Sequence, residues 1–460
     1  MSDLRALLAQ ARPEPGARLE APQTSLALRD LAGLTGLGSS RAALAGRNVM
    51  VRTERQITAA QALVELDGLA RRIVLCPPDL APEHLEHVLR TAEVDAVVID
   101  APDAALARTD APLQTLGQPD TPLLPPPAPA LETEWVLFTS GTTGAPKLVT
   151  HSLAGLTGAI TPPQGGAPRP VWATFYDVRR YGGLQILLRA LLGGCALVLS
   201  DAAEEFRDHL ARLAGLGVTH LTGTPSHWRR LLMSPDATRI APAYVRLSGE
   251  IADQPVLDGL RAMFPTARIV HAYASTEAGV GFEVTDGLEG FPQDFVGRPS
   301  PVELRVIDGV LHIRSPRAAF GYLGPDAPML VDDDGFIDSG DMVELAGGRW
   351  RFVGRRNGVI NVGGLKVHPE EVEAVVNSHP AVRMSLVRAR RNPITGAVVT
   401  ADVALIEPNA AASPEQKAAL RASIMAMCRS VLPTHKAPAT IRFVPDLAVT
   451  AGGKLDRFHD

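Results

Sequence analysis

Lysine is scarce in this chain of 460 residues, which carries 45 lysines and arginines but only five lysines, at positions 147, 366, 417, 436 and 454. Cysteine is scarcer. Cys76, Cys195 and Cys428 stand far apart without metal-ligand spacing, which excludes a disulfide framework and a cysteine metal site and leaves three reduced structural thiols. No run approaches the roughly 18 apolar residues that a membrane span needs, and the first residues carry acids rather than a long apolar stretch. Excess positive charge is missing too: a net charge of −5 gives no global attraction to nucleic acid or anionic lipid. These absences predict a soluble, cytoplasmic protein with no nucleic-acid or membrane partner, whose anion chemistry is local. Lys417 and Lys436 carry no loop signature and read as solvated charges.

Hydrophobic residues at 46% and charged residues at 21% are normal for a globular protein, and the length predicts two or three domains. Between Asn48 and Asp100 the pattern reads strand (Val49 to Val51), helix (Thr58 to Leu69), strand (Arg72 to Leu75), helix (Pro82 to Ala92), strand (Ala96 to Ile99). Five prolines in residues 121–130 form a stiff linker that enters neither a helix nor a central strand. The apolar run Trp135 to Phe138 follows as a buried strand. From Val171 to Tyr273, candidate strands (Val171–Phe175, Cys195–Leu199, Val218–Thr222, Tyr244–Leu247, Arg268–Tyr273) alternate with helical segments (Leu184–Leu192, Glu204–Leu216, Pro225–Leu232), which argues for largely parallel α/β layering. Beyond Val302 short runs broken by Gly and Asp predict a small antiparallel β subdomain, and Asp332 to Gly335 a hairpin turn. The fold class is therefore α/β: a large N-terminal domain, residues 1–355, of layered sheets with that subdomain, then a small mobile α+β domain, residues 356–460. Residues 1–45 show no clear period.

Three lysines stand in glycine-bearing loops, and one loop is the strongest signal: Thr139, Ser140, Gly141, Thr142, Thr143, Gly144, Ala145, Pro146, Lys147. Four hydroxyls and two glycines after a strand, ending in a compact ammonium, make a backbone cradle for a polyphosphate. It is not a Walker A loop, because the spacing differs and Leu148 follows the lysine. His368-Pro369-Glu370-Glu371 reads as a helix start rather than a metal site, with proline at the first position and acids in the first turn. His220 and His227 read as surface or helix-packing residues.

The lysine loop resembles the phosphate loop of the adenylate-forming superfamily of acyl- and aryl-CoA synthetases, amino-acid adenylation domains and luciferases. Tyr273-Ala274-Ser275-Thr276-Glu277, Ser339-Gly340-Asp341, Gly354-Arg355-Arg356-Asn357, Gly363-Gly364-Leu365-Lys366 and Thr450-Ala451-Gly452-Gly453-Lys454 resemble further elements of that family, in order, from about residue 135 to 457. The resemblance implies an AMP-forming acid–thiol ligase using ATP, Mg²⁺ and CoA on a small carboxylic acid, aryl or of short or medium chain. Two alternatives are loading of a carrier protein's phosphopantetheine, in trans because no carrier domain is present, and a non-catalytic nucleotide-binding protein. A homodimer is the expected assembly.

By resemblance, Thr139 to Lys147 hold the β- and γ-phosphates. Glu277 holds Mg²⁺, with Thr276 near the α-phosphate and Ser275 beside the nucleotide. Tyr273 stacks on adenine, Gly249 and Glu250 line its edge, Asp341 accepts the ribose hydroxyls and Arg355 reaches the ribose or phosphate. Lys454 bridges the carboxylate and α-phosphate. The C-terminal domain then rotates about a hinge at Asn357, withdrawing Lys454 and bringing Gly363, Gly364 and Lys366 to the thiol tunnel. Asn357 departs from the usual Asp or Lys; Ala274, Ser339 and Ala448 are milder departures. Asp177, Arg179, Tyr181 and Gly182, with His271 and Ala272, are candidate acyl-pocket residues; Asp177 and Arg179 read either as a surface pair around a turn or as residues of which one meets a polar group on the acid.

Overall fold

The computed structural model describes residues 3–107, 109–123, 131–139, 145–162, 168–201, 203–392, 396–407, 411, 413–449 and 454–456. Two large sheets enclose the main core. The first has eight strands in the order Gly279–Val284, Arg268–Ser275, Tyr244–Ser248, His220–Gly223, Trp172–Thr174, Leu197–Val198, Arg18–Glu20, Ser25–Ala27. Only the two edge pairings are antiparallel. The second has seven strands in the order Gly321–Tyr322, Lys147–Ser152, Glu134–Thr139, Arg72–Leu75, Asn48–Val51, Ala96–Ile99, Leu113–Thr115. The helix Gln56–Leu66 is buried along its whole length, and with Tyr181–Gly193 it joins both sheets in one apolar core. A mostly apolar helix buried on every side belongs in such a place, and its polar Gln61 donates to Glu65.

The α/β alternation of the sequence is present, with boundaries moved by a few residues. Two features differ. Residues 1–45, without a readable period, supply two three-residue strands, because Arg18–Glu20 pairs in parallel with Leu197–Val198 far along the chain. The proline-rich stretch supplies Thr121–Pro122, paired with Leu34–Thr35 in a two-stranded edge, where a missing N–H is tolerated; residues 124–130 lie outside the described part.

A five-stranded antiparallel sheet follows, ordered Phe291–Pro292, Arg349–Arg355, Ile337–Ala346, Val310–Arg314, Glu303–Ile307. Asp332 Oδ1 accepts from the Asp334 and Phe336 amides, so the acidic run closes a turn as expected. From Ile360 onward the chain builds a separate core of its own, including Val367, Val372, Val403, Ile424 and Ile441. The helix Pro414–Val431 starts with a reciprocal Ser413–Gln416 capping box.

Candidate active site

The phosphate-loop candidate is the tip of an antiparallel hairpin: Thr139 stands directly opposite Lys147 across the two strands. Both ends of the loop are thereby fixed by strand pairing. Ser140, Gly141, Thr142, Thr143 and Gly144 lie outside the described residues. Lys147 Nζ sits 4.8 Å from the centre of the Tyr322 ring, and Tyr322 donates to Glu277 Oε1 at 3.3 Å. Lys147 and Glu277 therefore flank one tyrosine, an arrangement that the reading of motifs alone did not include.

Behind Glu277, the buried His151 donates from Nε2 to the Thr276 carbonyl at 2.8 Å. Burial pushes its pKa down to about 4, so it is a neutral positioning group. Ser275 Oγ accepts the Ala278 amide at 2.9 Å and fixes the turn carrying Glu277.

Strand alternation sorts the residues of Arg268–Ser275 onto two faces. Tyr273 turns toward the five-stranded sheet, with the rings of Phe282 and Phe352 nearly parallel to its own. Its hydroxyl donates to Asp341 Oδ2 at 2.6 Å, and Arg355 Nε donates to Asp341 Oδ1 at 2.9 Å. Burial, reinforced by the Asp341 charge, holds the phenol protonated well above its ordinary range. Asp341 and Arg355 are cross-strand partners in the five-stranded sheet. Each carboxylate oxygen keeps acceptor capacity, so the pair can take up further hydroxyl donors.

His271 shares the Tyr273 face and bonds the Leu288 carbonyl at 2.9 Å, whereas Ala272 faces the opposite side with Arg268 and Ala274. The two do not line one pocket, because adjacent strand residues point apart. Arg179 is a second correction. Its guanidinium donates to the Thr53 and Glu54 carbonyls at 2.6 and 2.9 Å and holds Asp177 at 2.6 to 2.8 Å. Arg179 is buried, and four of its five guanidinium N–H groups go into these bonds, so the Asp177–Arg179 pair staples the first sheet to the second. The next residue, Arg180, is the one near the cleft: it bonds Asp79 at 2.7 Å, and its charge reaches Lys454. Tyr181 and Gly182 open the helix Tyr181–Gly193; the Tyr176 ring lies 3.6 Å from where a Gly182 Cβ would stand.

The C-terminal segment meets the large domain at Gly249 and Glu250. Glu250 accepts the Ser226 amide at 2.9 Å in the first turn of the helix Pro225–Leu232 and, through its other oxygen, the Leu455 amide at 3.0 Å. Lys454 Cε lies 3.5 Å from where a Gly249 Cβ would be, and Gly249 has φ +89°. Lys454 still reaches solvent, but the crowded protein around it lowers its pKa from the ordinary lysine value. Arg355 and Arg180 act in the same direction, while Glu250 and Asp341 oppose it. The Val449–Leu455 bridge closes the loop that presents the lysine; residues 450–453 lie outside the described part.

Gly363 and Gly364, with φ of +60° and +90°, turn the hairpin between Ile360–Val362 and Leu365–Val367. Gly364 has nothing within 4 Å of its virtual Cβ, and Lys366 is exposed. Lys454 is therefore at the cleft while this hairpin is not. Asn357 lies in a one-turn 3₁₀ segment, Arg356–Gly358, between the two cores. Among the described residues there is no cluster of His, Cys, Asp and Glu able to hold a metal by itself, and no helix is long and apolar enough to cross a membrane.

A family model of AMP-binding enzymes matches residues 49–323, and one of the AMP-binding enzyme C-terminal domain matches residues 371–454. Among curated proteins, the chain is 29% identical over 455 residues to an isonitrile lipopeptide synthase of Streptomyces coeruleorubidus, covering 90% of this chain and 30% of that protein. It is 31% identical over 262 residues to a 2-succinylbenzoate–CoA ligase of Salmonella typhimurium, covering 54% of this chain and 53% of that one. The chain thus spans about a third and about half of these two relatives. Its fold matches that of the anthranilate CoA ligase AuaEII, solved with anthranoyl-AMP, at a TM-score of 0.82 and 19% identity over 99% and 96% of the two chains. The amide bond synthetase McbA of Marinactinospora thermotolerans matches at 0.77 and 21% over 99% and 98%.

Proposed function

The chain belongs to the AMP-binding enzymes, and on that premise we propose that it is an AMP-forming acid–thiol ligase of the acyl- and aryl-CoA synthetase branch. The observation that carries this reading is the meeting of Lys454 with Gly249 and Glu250, beside a cleft that also holds Asp341 and Arg355. A carboxylate resists a thiol because it is anionic and its oxygen leaves poorly. Attack of a carboxylate oxygen on the α-phosphorus of ATP, with cleavage of the bond to pyrophosphate, gives an acyl-AMP with a good leaving group. Catalysis of that step is positioning and charge stabilisation.

An ammonium between the carboxylate and the α-phosphate neutralises both anions as they approach, and we assign that role to Lys454, whose place beside Gly249 and Glu250 supports it. Tyr273 and Arg355 orient Asp341, whose remaining lone pairs suit the ribose hydroxyls. Lys147 and the hydroxyls of its loop suit the β- and γ-phosphates. Glu277, engaged only by the weak Tyr322 bond among the described residues, has the oxygen donors that Mg²⁺ prefers. Bound there, Mg²⁺ would supply charge neutralisation to the phosphates.

In the second half-reaction the thiol sulfur attacks the acyl carbon, AMP leaves with the bonding pair and the thiol proton passes to solvent. We assign the Gly363–Gly364 hairpin and Lys366 to that step, after rotation about Asn357. CoA is the acceptor we favour, in the cytoplasm, where three free cysteines persist. The likeness to a lipopeptide synthase over most of the chain favours a second acceptor, a carrier protein's phosphopantetheine.

Pyrophosphate release across a panel of acids, with CoA or a phosphopantetheinylated carrier present, tests the reading. An acid-dependent release that yields AMP supports it, and the thioester formed names the acceptor. No release with any acid overturns it.

A further inference from the structure

The first sheet carries a second concavity beyond the nucleotide cleft. Trp172, His220, Tyr244 and Arg268 stand in one register row across four parallel strands. With Arg189 of the helix Tyr181–Gly193, Arg317 and Glu283 they line a groove of about 550 Å³. Its floor is aromatic: the Trp172 and His220 rings are 4.7 Å apart, and His220 stacks on Tyr244 at 5.1 Å. Arg189 lies 5.9 Å from the centre of the Trp172 ring.

The charges of this groove are unbalanced. Its one carboxylate, Glu283, is ion-paired with Arg246 in the neighbouring row. Among the described residues no carboxylate oxygen comes within 4.0 Å of the guanidinium nitrogens of Arg189, Arg268 or Arg317; Arg317 bonds only the Val280 carbonyl at 3.0 Å. Burial, and then the Arg246 charge, push the Arg189 pKa below its ordinary value. The three arginines are weakly hydrated forks suited to a carboxylate, sulfonate or phosphate.

The groove and Ala272 lie on one face of the strands. Arg268, Val270, Ala272 and Ala274 share a face, as do Tyr244, Arg246 and Ser248. From the Ser248–Ala272 row, beside the nucleotide residues, to the Tyr244–Arg268 row is four residues, or about 13 Å at the rise of a strand. Between them the Arg246–Glu283 pair makes a charge-neutral sill, with Thr222 Oγ1, buried and without a hydrogen-bond partner, in the same row. We propose that this groove receives the far end of the acid substrate: an elongated aromatic acid whose second anionic group, about 13 Å from the activated carboxylate, is held by Arg189, Arg268 and Arg317. This rests on the ligase reading and names its substrate class.

Two measurements separate the failure of one from the failure of the other. The chain has four tryptophans, so the part of the emission that Trp172→Phe removes, titrated without ATP, reports the groove alone. Biphenyl-4,4′-dicarboxylate should quench it and bind at least tenfold more tightly than biphenyl-4-carboxylate, and Arg268→Ala or Arg189→Ala should abolish that preference. Arg268 is exposed and makes no side-chain bond, so its variant tests the charge without disturbing the core. In pyrophosphate release, kcat/KM for the diacid should exceed that for the monoacid at least tenfold, and the ratio should fall to about one in either variant while KM for ATP stays unchanged. Equal binding of the two acids, or a preference that survives both substitutions, overturns the groove assignment. Quenching with the expected preference but no pyrophosphate from any acid sustains the groove and overturns the ligase reading.

Discussion

Glu250→Gln is the most discriminating small change in this chain. The carboxylate joins two parts of the protein through one bond to the Ser226 amide in the large domain and one to the Leu455 amide beside Lys454. A glutamine of the same shape keeps one acceptor but loses the charge. A hydrogen bond to a charged group contributes about 1.5–3 kcal/mol and a neutral one about 0.5–1.5, so the bond that docks the lysine loop weakens by about 1–1.5 kcal/mol. That is about a tenfold loss in the docked population. The charge has a second effect. Glu250 favours the ammonium form of Lys454, whose pKa burial already lowers. Removing Glu250 lowers it further, so the alkaline limb of the adenylation profile moves to lower pH. The assay is acid-dependent ATP–pyrophosphate exchange at saturating ATP across pH, paired with thioester formation from supplied acyl-AMP. Exchange should fall about tenfold near neutrality and further at alkaline pH, with the thioester step changed little. Exchange that keeps both its rate and its alkaline limb would refute the reasoning.

Three further outcomes follow from the geometry. Arg179→Ala strands two backbone carbonyls and leaves the partly exposed Asp177 carboxylate without its partner, so urea denaturation should register a loss of about 2–4 kcal/mol, while KM for the acid stays unchanged; a raised acid KM in a fully stable variant contradicts the structural role. Gly249→Ala forces a Cβ onto a backbone of φ +89° and against Lys454, costing about 1–2 kcal/mol and slowing adenylation; wild-type stability and exchange would contradict it. Gly364→Trp, on a hairpin with open space around it in this lid position, should leave exchange intact and block the thioester step, which equal loss of both steps would contradict.

The strands and helices of the large domain were legible because apolar runs of four to six residues alternate with helical periods. The Arg18–Glu20 strand was not, since three residues carry no period and their partner lies some 180 positions away. In the site, the motif residues Asp341, Arg355, Glu250 and Lys454 share one cleft. What motif reading could not give was direction. Around the turn before Tyr181 a single step separates Arg179, buried under the sheets, from Arg180 at the cleft. On the strand Arg268–Ser275, alternation sends His271 and Ala272 to opposite faces. Tyr322 and His151, which brace Glu277 and Thr276, carry no local signature because their partners lie 45 and 125 positions away. The row Trp172, His220, Tyr244 and Arg268 is likewise assembled by sheet register, with Arg189 joining it from a helix and Arg317 from a turn, and has no contiguous motif.

The central claim is that Lys454 serves the first half-reaction from the position it holds beside Gly249 and Glu250. Pyrophosphate exchange measured in Lys454→Ala, alongside thioester formation from supplied acyl-AMP, tests it most directly. Exchange should drop by about 10²–10³-fold while the supplied adenylate is still converted. Undiminished exchange in that variant would contradict the account.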